Sequence, residues 1–252
     1  MMKFIVDDIA VLRGLLMLAC RISGAEVGLS VSADEIKISV MDRGATGYLH
    51  VSVAKSMFSV WQPDMGGVIS LDPVSFVRIL KSVNGKVIFE FDDGVLKVSS
   101  SDKGSMKSYE ISQVVSLETK RDEVGFPDEF DLDFNISFDR VRGLFSDVDS
   151  MGLREITFKW DPDMVCIMGA DGNFSKMIVR LEDIERVSKS GMVDGNASFN
   201  VSLFEELLKA PLSYVRLGIV RNEAPLMIEA GGLGKDYHLR YMVAPFIHGG
   251  GD

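Results

Sequence analysis

Apolar positions along this chain recur with two periods. Much of the length alternates every second residue, as strands do, and four stretches carry the three-to-four spacing of helices. After an opening strand at residues 3–6, Val11, Leu12, Leu15, Leu18, Ala19 and Ile22 fall on one face of a helix over residues 8–22. Strands follow at 26–31, 35–41 and 48–53, and another at 67–71 leads into a second helix over 73–83. That helix has a marked start: Asp72 in the capping position and Pro73 at the first helical position, where the missing N–H would be unpaired anyway. Val74, Val77, Leu80 and Lys81 give it an amphipathic pattern, and strands at 87–91, 96–100 and 107–114 close the half.

The second half repeats the order. A strand at 132–137 precedes a helix at 139–150; strands at 155–160, 164–168 and 176–180 follow; 198–201 leads to a short helix at 202–210, stopped by Pro211; strands at 214–220, 226–229 and 237–243 finish it. Each copy reads strand, helix, three strands, strand, helix, three strands. This predicts an α+β chain of two similar domains, 1–115 and 132–247, with a short tail at 248–252. The segment between them, residues 116–131, reads SLETKRDEVGFPDEFD. It is charged, holds Gly125 and Pro127 and has no sustained period, so it is a connector. Val124 and Phe126 sit at its centre, where a plain linker needs no apolar side chains, and point to a docking surface.

Composition narrows the function by exclusion. The 252 residues, 46% hydrophobic and 25% charged, are ordinary for a chain with a real core. No apolar run has membrane-spanning length, and the opening Met1-Met2-Lys3-Phe4 carries no signal-peptide pattern, so an intracellular protein is expected. Two buried thiols are the ordinary reading of Cys20 and Cys166, with a disulfide left open by the sequence. The net charge of −10 argues against a generally basic surface, not against a locally basic one. Chemistry-bearing patterns are absent. His50, His238 and His248 are scattered. The Gly-rich run at 231–235 has Glu229 and Asp236 where a phosphate loop needs Gly and Ser or Thr, and reads as a hairpin turn. Asp122, Glu123, Asp128, Glu129, Asp131 and Asp133 lack calcium-loop spacing. Asn135, Asn173, Asn196 and Asn200 begin glycosylation-like triplets that mean nothing without secretion. The chain is expected not to be an enzyme: no catalytic residue, metal site or cofactor is predicted.

Several stretches resemble the PCNA (proliferating-cell nuclear antigen) family of DNA sliding clamps, archaeal and eukaryotic. Leu239-Arg240-Tyr241-Met242-Val243-Ala244-Pro245 is similar to the family's closing K/R-Y-Y-L-A-P. Val124-Gly125-Phe126-Pro127 resembles the hydrophobic-Gly-Ile-Pro of its interdomain connector loop, and Val40-Met41-Asp42 the A-M-D that opens its central loop. Ser75-Phe76-Val77-Arg78-Ile79-Leu80-Lys81 is similar to its S-x-x-K-I-L-K helix, and Lys209-Ala210-Pro211-Leu212-Ser213 to K-A-x-P-L-S, one residue shorter. The five stretches occur in order over essentially the whole chain.

The resemblance implies a non-enzymatic processivity factor of DNA replication and DNA repair, a subunit of a trimeric ring with strands outside and four helices per subunit lining the inner face. It implies double-stranded DNA, two further clamp subunits (identical or paralogous), a clamp loader, and clients such as DNA polymerase, flap nuclease and DNA ligase as partners, with no membrane. A cytoplasmic, nucleoid-associated place in an archaeon is implied, or a nuclear one in a eukaryote. By helix membership Arg13, Arg21, Arg140, Arg142 and Lys209, and by match to family positions Arg78 and Lys81, are expected to face DNA phosphates. The client peptide, roughly Q-x-x-(aliphatic)-x-x-(aromatic)-(aromatic), is expected at Met41, Ala45, Thr46, Tyr48, Val124, Phe126, Pro127, Met242, Val243, Ala244 and Pro245. Subunit contact is expected through edge strands at 107–114 and 175–180, with Tyr109, Ile111, Ser175, Lys176 and Ile178.

The chain departs from the family in charge. Its helical stretches also carry Asp7, Asp8, Asp139, Asp147, Asp149, Glu205 and Glu206, as many acids as the bases named above. This suits a specialised member of a heterotrimeric ring. An acidic protein-interaction module that never encircles DNA is the alternative of another class.

Overall fold

The computed structural model describes residues 1–63, 67–102, 105–114, 125–127, 129–170, 176–182, 184–186, 194–219, 225–231 and 236–245. They fall into two units: Met1–Val124 with Lys209–Pro211 and Gly232–Leu239, and Gly125–Leu208 with Leu212–Gly231 and Arg240–Asp252.

The first unit contains β1 (Met2–Val6), α1 (Ala10–Ile22), β2 (Val27–Val31), β3 (Glu35–Met41), β4 (Gly47–Ala54), β5 (Val60–Gln62), β6 (Gly67–Leu71), α2 (Pro73–Ser82), β7 (Lys86–Asp92), β8 (Val95–Asp102) and β9 (Ser105–Ser112). Its strands run antiparallel in the orders β5-β1-β7-β8-β9 and β4-β3-β2-β6. Alternation puts Ile36, Ile38 and Val40 of β3 into the core, and the helices cover that core with one stripe each: Leu12, Leu15, Leu16 and Ala19 of α1, Phe76, Ile79 and Leu80 of α2. Leu12, Leu16 and Phe76 line one apolar cavity with Phe4, Leu29, Ile38 and Phe89. The α2 start is as the sequence predicts: the Asp72 carboxylate accepts the Ser75 N–H at 2.7 Å ahead of Pro73. Helix α1 begins at Ala10, two residues later than predicted, because Asp8 accepts the Ala10 N–H at 2.9 Å and acts outside the helix.

The second unit repeats the arrangement with β10 (Leu132–Ser137), α3 (Phe138–Ser150), β11 (Glu155–Trp160), β12 (Val165–Ala170), β13 (Lys176–Arg180), β14 (Glu185–Arg186), β15 (Gly195–Asn200), β16 (Tyr214–Ile219), β17 (Leu226–Gly231) and β18 (Tyr237–Val243). The strand orders are β14-β10-β16-β17-β18 and β13-β12-β11-β15. Counting strands from each repeat's start, these are the orders of the first unit strand for strand. Residues Tyr237–Leu239 of β18 group with the first unit and the rest with the second.

The fourth helical stretch is wound tightly. Val201–Leu203 and Leu207–Lys209 are 3₁₀ turns, where an α-helix over 202–210 was predicted. The buried residues Val201, Phe204, Leu207 and Ala210 recur every third position, the period of a 3₁₀ helix, and Pro211 ends the run. Two short strands had no sequence prediction: β5, which pairs with β1, and β14, a two-residue partner of β10. Cys20 and Cys166 are buried free thiols, and burial pushes the Cys20 thiol up to about 12, with Asp72 adding to the rise.

Candidate functional site

The seven basic side chains predicted to line one face occupy different settings. Arg78 and Lys81 stand exposed on α2, three positions apart and opposite its buried stripe; Arg78 helps hold the Asp72 carboxyl below its ordinary range, although the Ser75 hydrogen bonds do most of it. Arg21, in the last turn of α1, and Lys209 are also exposed. Arg13 is half-buried, and its guanidinium donates to the Val83 carbonyl at 3.1 Å and Asn84 Oδ1 at 2.8 Å, so it closes the C-terminal end of α2. Arg140 donates to the Glu182 carbonyl, and Arg142 lies 4.9 Å from the Phe138 ring centroid and 3.8 Å from Asp139. Two of the acids have local work: Asp8 accepts the Ala10 N–H just ahead of α1, and Asp7 lies 3.3 Å from Lys86 and accepts from Ser59. Asp147 and Asp149 are exposed in the last turns of α3, where the helix dipole already leaves negative charge.

Among the described residues, three terminal strands carry exposed apolar side chains; on one of them, β6, Val68 is 56% exposed, but Gln113 and Val114 donate to the Val68 and Ser70 carbonyls along that border, and the other two are β9 and β13. β9 ends one sheet of the first unit and β13 one sheet of the second. On β9 Met106 is 75% exposed, Tyr109 is half-buried and Ile111 packs into the core; on β13 Lys176 and Ile178 are exposed while Met177 is buried. Ser175 lies outside the described residues. In the repeat pattern β13 corresponds to β4, and the two differ. The β4 terminus is covered inside its own unit, where the Ala54 N–H donates to the Asp236 carbonyl at 2.8 Å and the Ser56 hydroxyl to the Asp236 carboxylate at 2.7 Å.

The residues expected at a client peptide belong to two groups. In the first unit, Met41, Ala45, Thr46 and Tyr48 surround the β3–β4 turn. One Asp42 carboxylate organises it, accepting from the Thr46 N–H (2.7 Å), the Gly47 N–H (3.0 Å) and the Thr46 hydroxyl (2.7 Å). Ala45 sits at φ 52°, a left-handed conformation that the Asp42 bonds hold in place. Ala45 and Thr46 are exposed, Met41 is half-buried and Tyr48 is a core side chain. In the second unit, Phe126, Pro127, Met242, Ala244 and Pro245 are half-buried and Val243 is fully buried. Val124 lies outside the described residues.

Sequence reasoning did not find what Phe126 rests on. A row of charges crosses four neighbouring strands of the second unit: Asp133 of β10, Arg216 of β16, Glu229 of β17 and Arg240 of β18. Arg216 grips the buried Asp133 through two nitrogens, at 2.8 and 2.7 Å, and reaches Glu229 at 3.1 Å. Arg240 stands 2.9 Å from Glu229 as an ion pair, its buried Nε out of line for a hydrogen bond. Two aromatic rings from the connector side lie over the two guanidinium groups, Phe130 at 5.8 Å from Arg216 and Phe126 at 5.4 Å from Arg240. Gly218 makes room, since a Cβ there would come within 2.6 Å of the Phe130 ring. The signal was present as one Asp, Glu or Arg in each of four mostly apolar strands, but the pairing needs the strand order. Among the described residues no group of three or more His, Cys, Asp or Glu is placed to hold a metal ion.

No family model matches the chain. It is 24% identical over 232 residues to a DNA polymerase sliding clamp of Methanothermobacter thermautotrophicus, with 88% of each chain covered. A second DNA polymerase sliding clamp, from Methanobrevibacter smithii, is 22% identical over 228 residues, covering 87% of this chain and 88% of that one. Among solved structures, the proliferating cellular nuclear antigen of Entamoeba histolytica superposes with a TM-score of 0.81 at 18% identity, over 98% of this chain and 99% of that one. The PCNA2–PCNA3 complex of Sulfolobus tokodaii gives 0.82 at 16% identity, over 97% and 99%. The PCNA of A. fulgidus bound to the C-terminal region of FEN-1 gives 0.82 at 17% identity, over 99% and 100%.

Proposed function

We infer that this chain, which has the fold of the PCNA-type DNA sliding clamps from end to end, is itself a DNA sliding clamp: one subunit of a ring that surrounds duplex DNA and carries client enzymes. The role is non-enzymatic, a matter of tethering. The observation that supports it most is the pair of unlike borders left by a duplicated fold. β9 and β13 are terminal strands with Met106 and Ile178 exposed, and a β9-type border on one copy is matched in kind by a β13-type border on the next. Such head-to-tail pairing, repeated three times, closes a ring of six domains.

Inside that ring Arg21, Arg78, Lys81 and Lys209 meet phosphates, with sequence-independent attraction that permits sliding. Arg13, Arg140 and Arg142 add positive charge to the same helical stretches. Topological linkage makes a weak grip sufficient, because a closed ring stays on DNA that has no end. The near balance of charge on the helical stretches supports a place beside paralogous subunits that supply more of the positive charge; a complex of two different subunits is known for the Sulfolobus tokodaii relative. Clients of polymerase, flap nuclease and ligase type would bind through an apolar peptide to Met41, Ala45, Thr46, Phe126, Pro127, Met242, Ala244 and Pro245; a client of this kind is supported by the A. fulgidus relative, which is bound to the C-terminal region of FEN-1. A clamp loader opens the ring, and the working place is inside the cell, with DNA.

The test is retention. Loaded with a clamp loader and ATP, alone or mixed with sister subunits, the chain should remain on nicked circular DNA and run off the same DNA once it is linearised. A chain that stays monomeric in every mixture, at every concentration, overturns the reading in favour of an interaction module that never encircles DNA.

A further inference from the structure

We propose that Arg240 is a positioning residue for client binding: it holds Phe126 of the connector against the second unit's sheet, and its own place is fixed by the charged row that runs through Glu229 and Arg216 to Asp133. This rests on the client-binding reading above and adds what governs that site.

Phe126 is half-buried on a charged, Gly- and Pro-containing segment that has no sustained period of its own. The Arg240 guanidinium supplies a flat, positively charged seat 5.4 Å from the ring centroid. An arginine left to itself would wander, because a long side chain loses rotamer freedom when it is fixed. Glu229 restrains it by charge as an ion pair at 2.9 Å, without an aligned hydrogen bond, and is itself hydrogen-bonded to Arg216 at 3.1 Å; Arg216 is clamped by both oxygens of Asp133, which is buried. Order therefore passes from the buried Asp133 carboxylate outward, strand by strand, to the ring of Phe126. The parallel contact of Phe130 over Arg216, in the space that Gly218 leaves, secures the same segment four residues further on. Met242, two residues from Arg240, shares the less buried face of β18, so the seated ring lies beside another residue assigned to the peptide.

The test pairs amide hydrogen exchange with calorimetry on the full chain. The probe is a synthetic peptide of the Q-x-x-(aliphatic)-x-x-(aromatic)-(aromatic) type. Arg240→Met keeps an apolar stem and removes the charge. It should raise deuterium uptake over residues 125–131, leave β11 and β12 protected as in the parent, and weaken the peptide about two- to fivefold, the worth of a partly exposed cation–π contact. Arg240→Lys should restore part of both. Phe126→Leu, which leaves the strands untouched, should raise uptake over the same residues and carries the test if Arg240→Met does not fold. Unchanged uptake over 125–131 in a folded Arg240→Met chain overturns the proposal, and so does raised uptake with an unchanged peptide affinity. A parent chain that takes up no peptide refutes the client reading first, before any substitution, and the proposal falls with it.

Discussion

Replacing Arg216 with Met should destabilise the second unit by about 3 kcal/mol. The estimate starts from Asp133, which is 4% exposed and receives two charge-assisted hydrogen bonds from Arg216 at 2.8 and 2.7 Å. Removing one partner of a buried pair strands the other and costs roughly 3–5 kcal/mol. The Arg216 side chain is 33% exposed, so solvent screens part of the interaction and the value moves to the lower end of that range. The chain has two tryptophans, Trp61 in the first unit and the fully buried Trp160 in the second. In a Trp61→Phe background, urea unfolding followed by Trp160 fluorescence therefore reads the affected unit. The midpoint should fall with the slope unchanged. Adding Asp133→Leu should recover much of the loss, because an apolar pair of similar volume carries no stranded charge. A loss below about 0.5 kcal/mol for Arg216→Met, the scale of a surface substitution, would mean that the charged row is not an organising element of this sheet.

Phe126→Ala should weaken a client-type peptide by about 1–3 kcal/mol, the size of a buried anchor loss, and unchanged affinity by calorimetry would remove Phe126 from the site. Reversing Arg78 and Lys81 together to Glu should lower retention on circular DNA without unfolding the chain; equal retention at low salt would mean that these side chains do not face the duplex. Ile178→Lys on the exposed border of β13 should reduce the assembly mass at a given concentration while the circular dichroism spectrum stays the same. Asp72→Ala should cost about 1 kcal/mol through loss of the α2 cap. Because folding lowers the Asp72 pKa, the cap's contribution is complete above the unfolded carboxylate value of about 4 and fades as pH falls through the lower folded value. Parent and variant should therefore converge in strong acid, and a constant difference down to about pH 2 would contradict the assignment.

How much of this the sequence could yield depended on where the information lay. The start of helix α2 was legible because its signals, Asp72 and Pro73, are local; its apolar stripe was read through Val74, Val77 and Leu80, whereas Val74 is 58% exposed and the buried stripe is Phe76, Ile79 and Leu80. The strands of the core were legible from alternation alone. The fourth helical stretch was read with the wrong period, although Val201, Phe204, Leu207 and Ala210 already spelled the three-residue repeat. β14 carries no signal in its two residues; it is a strand because β10 presents Phe134 and Asn135 to it. Among the basic residues, helix membership told which side chains were available but not which were occupied. The partners of Arg13, Val83 and Asn84, lie about 70 residues away in sequence and become neighbours only when α1 and α2 pack. The motif that pointed to Phe126 was local, while its seat on Arg240 required the order of four strands.

Among the described residues, β9 and β13 are terminal strands, and a ring built on them as proposed would have a consequence for the cell that makes this protein. On that reading, a chain synthesised in excess of its complements would hold two adhesive rims, and would be drawn to itself, to stray strands or to quality-control machinery. Supply of such a subunit would then have to match that of whatever completes it, so that stoichiometry of synthesis, rather than tighter folding, keeps the lone molecule scarce.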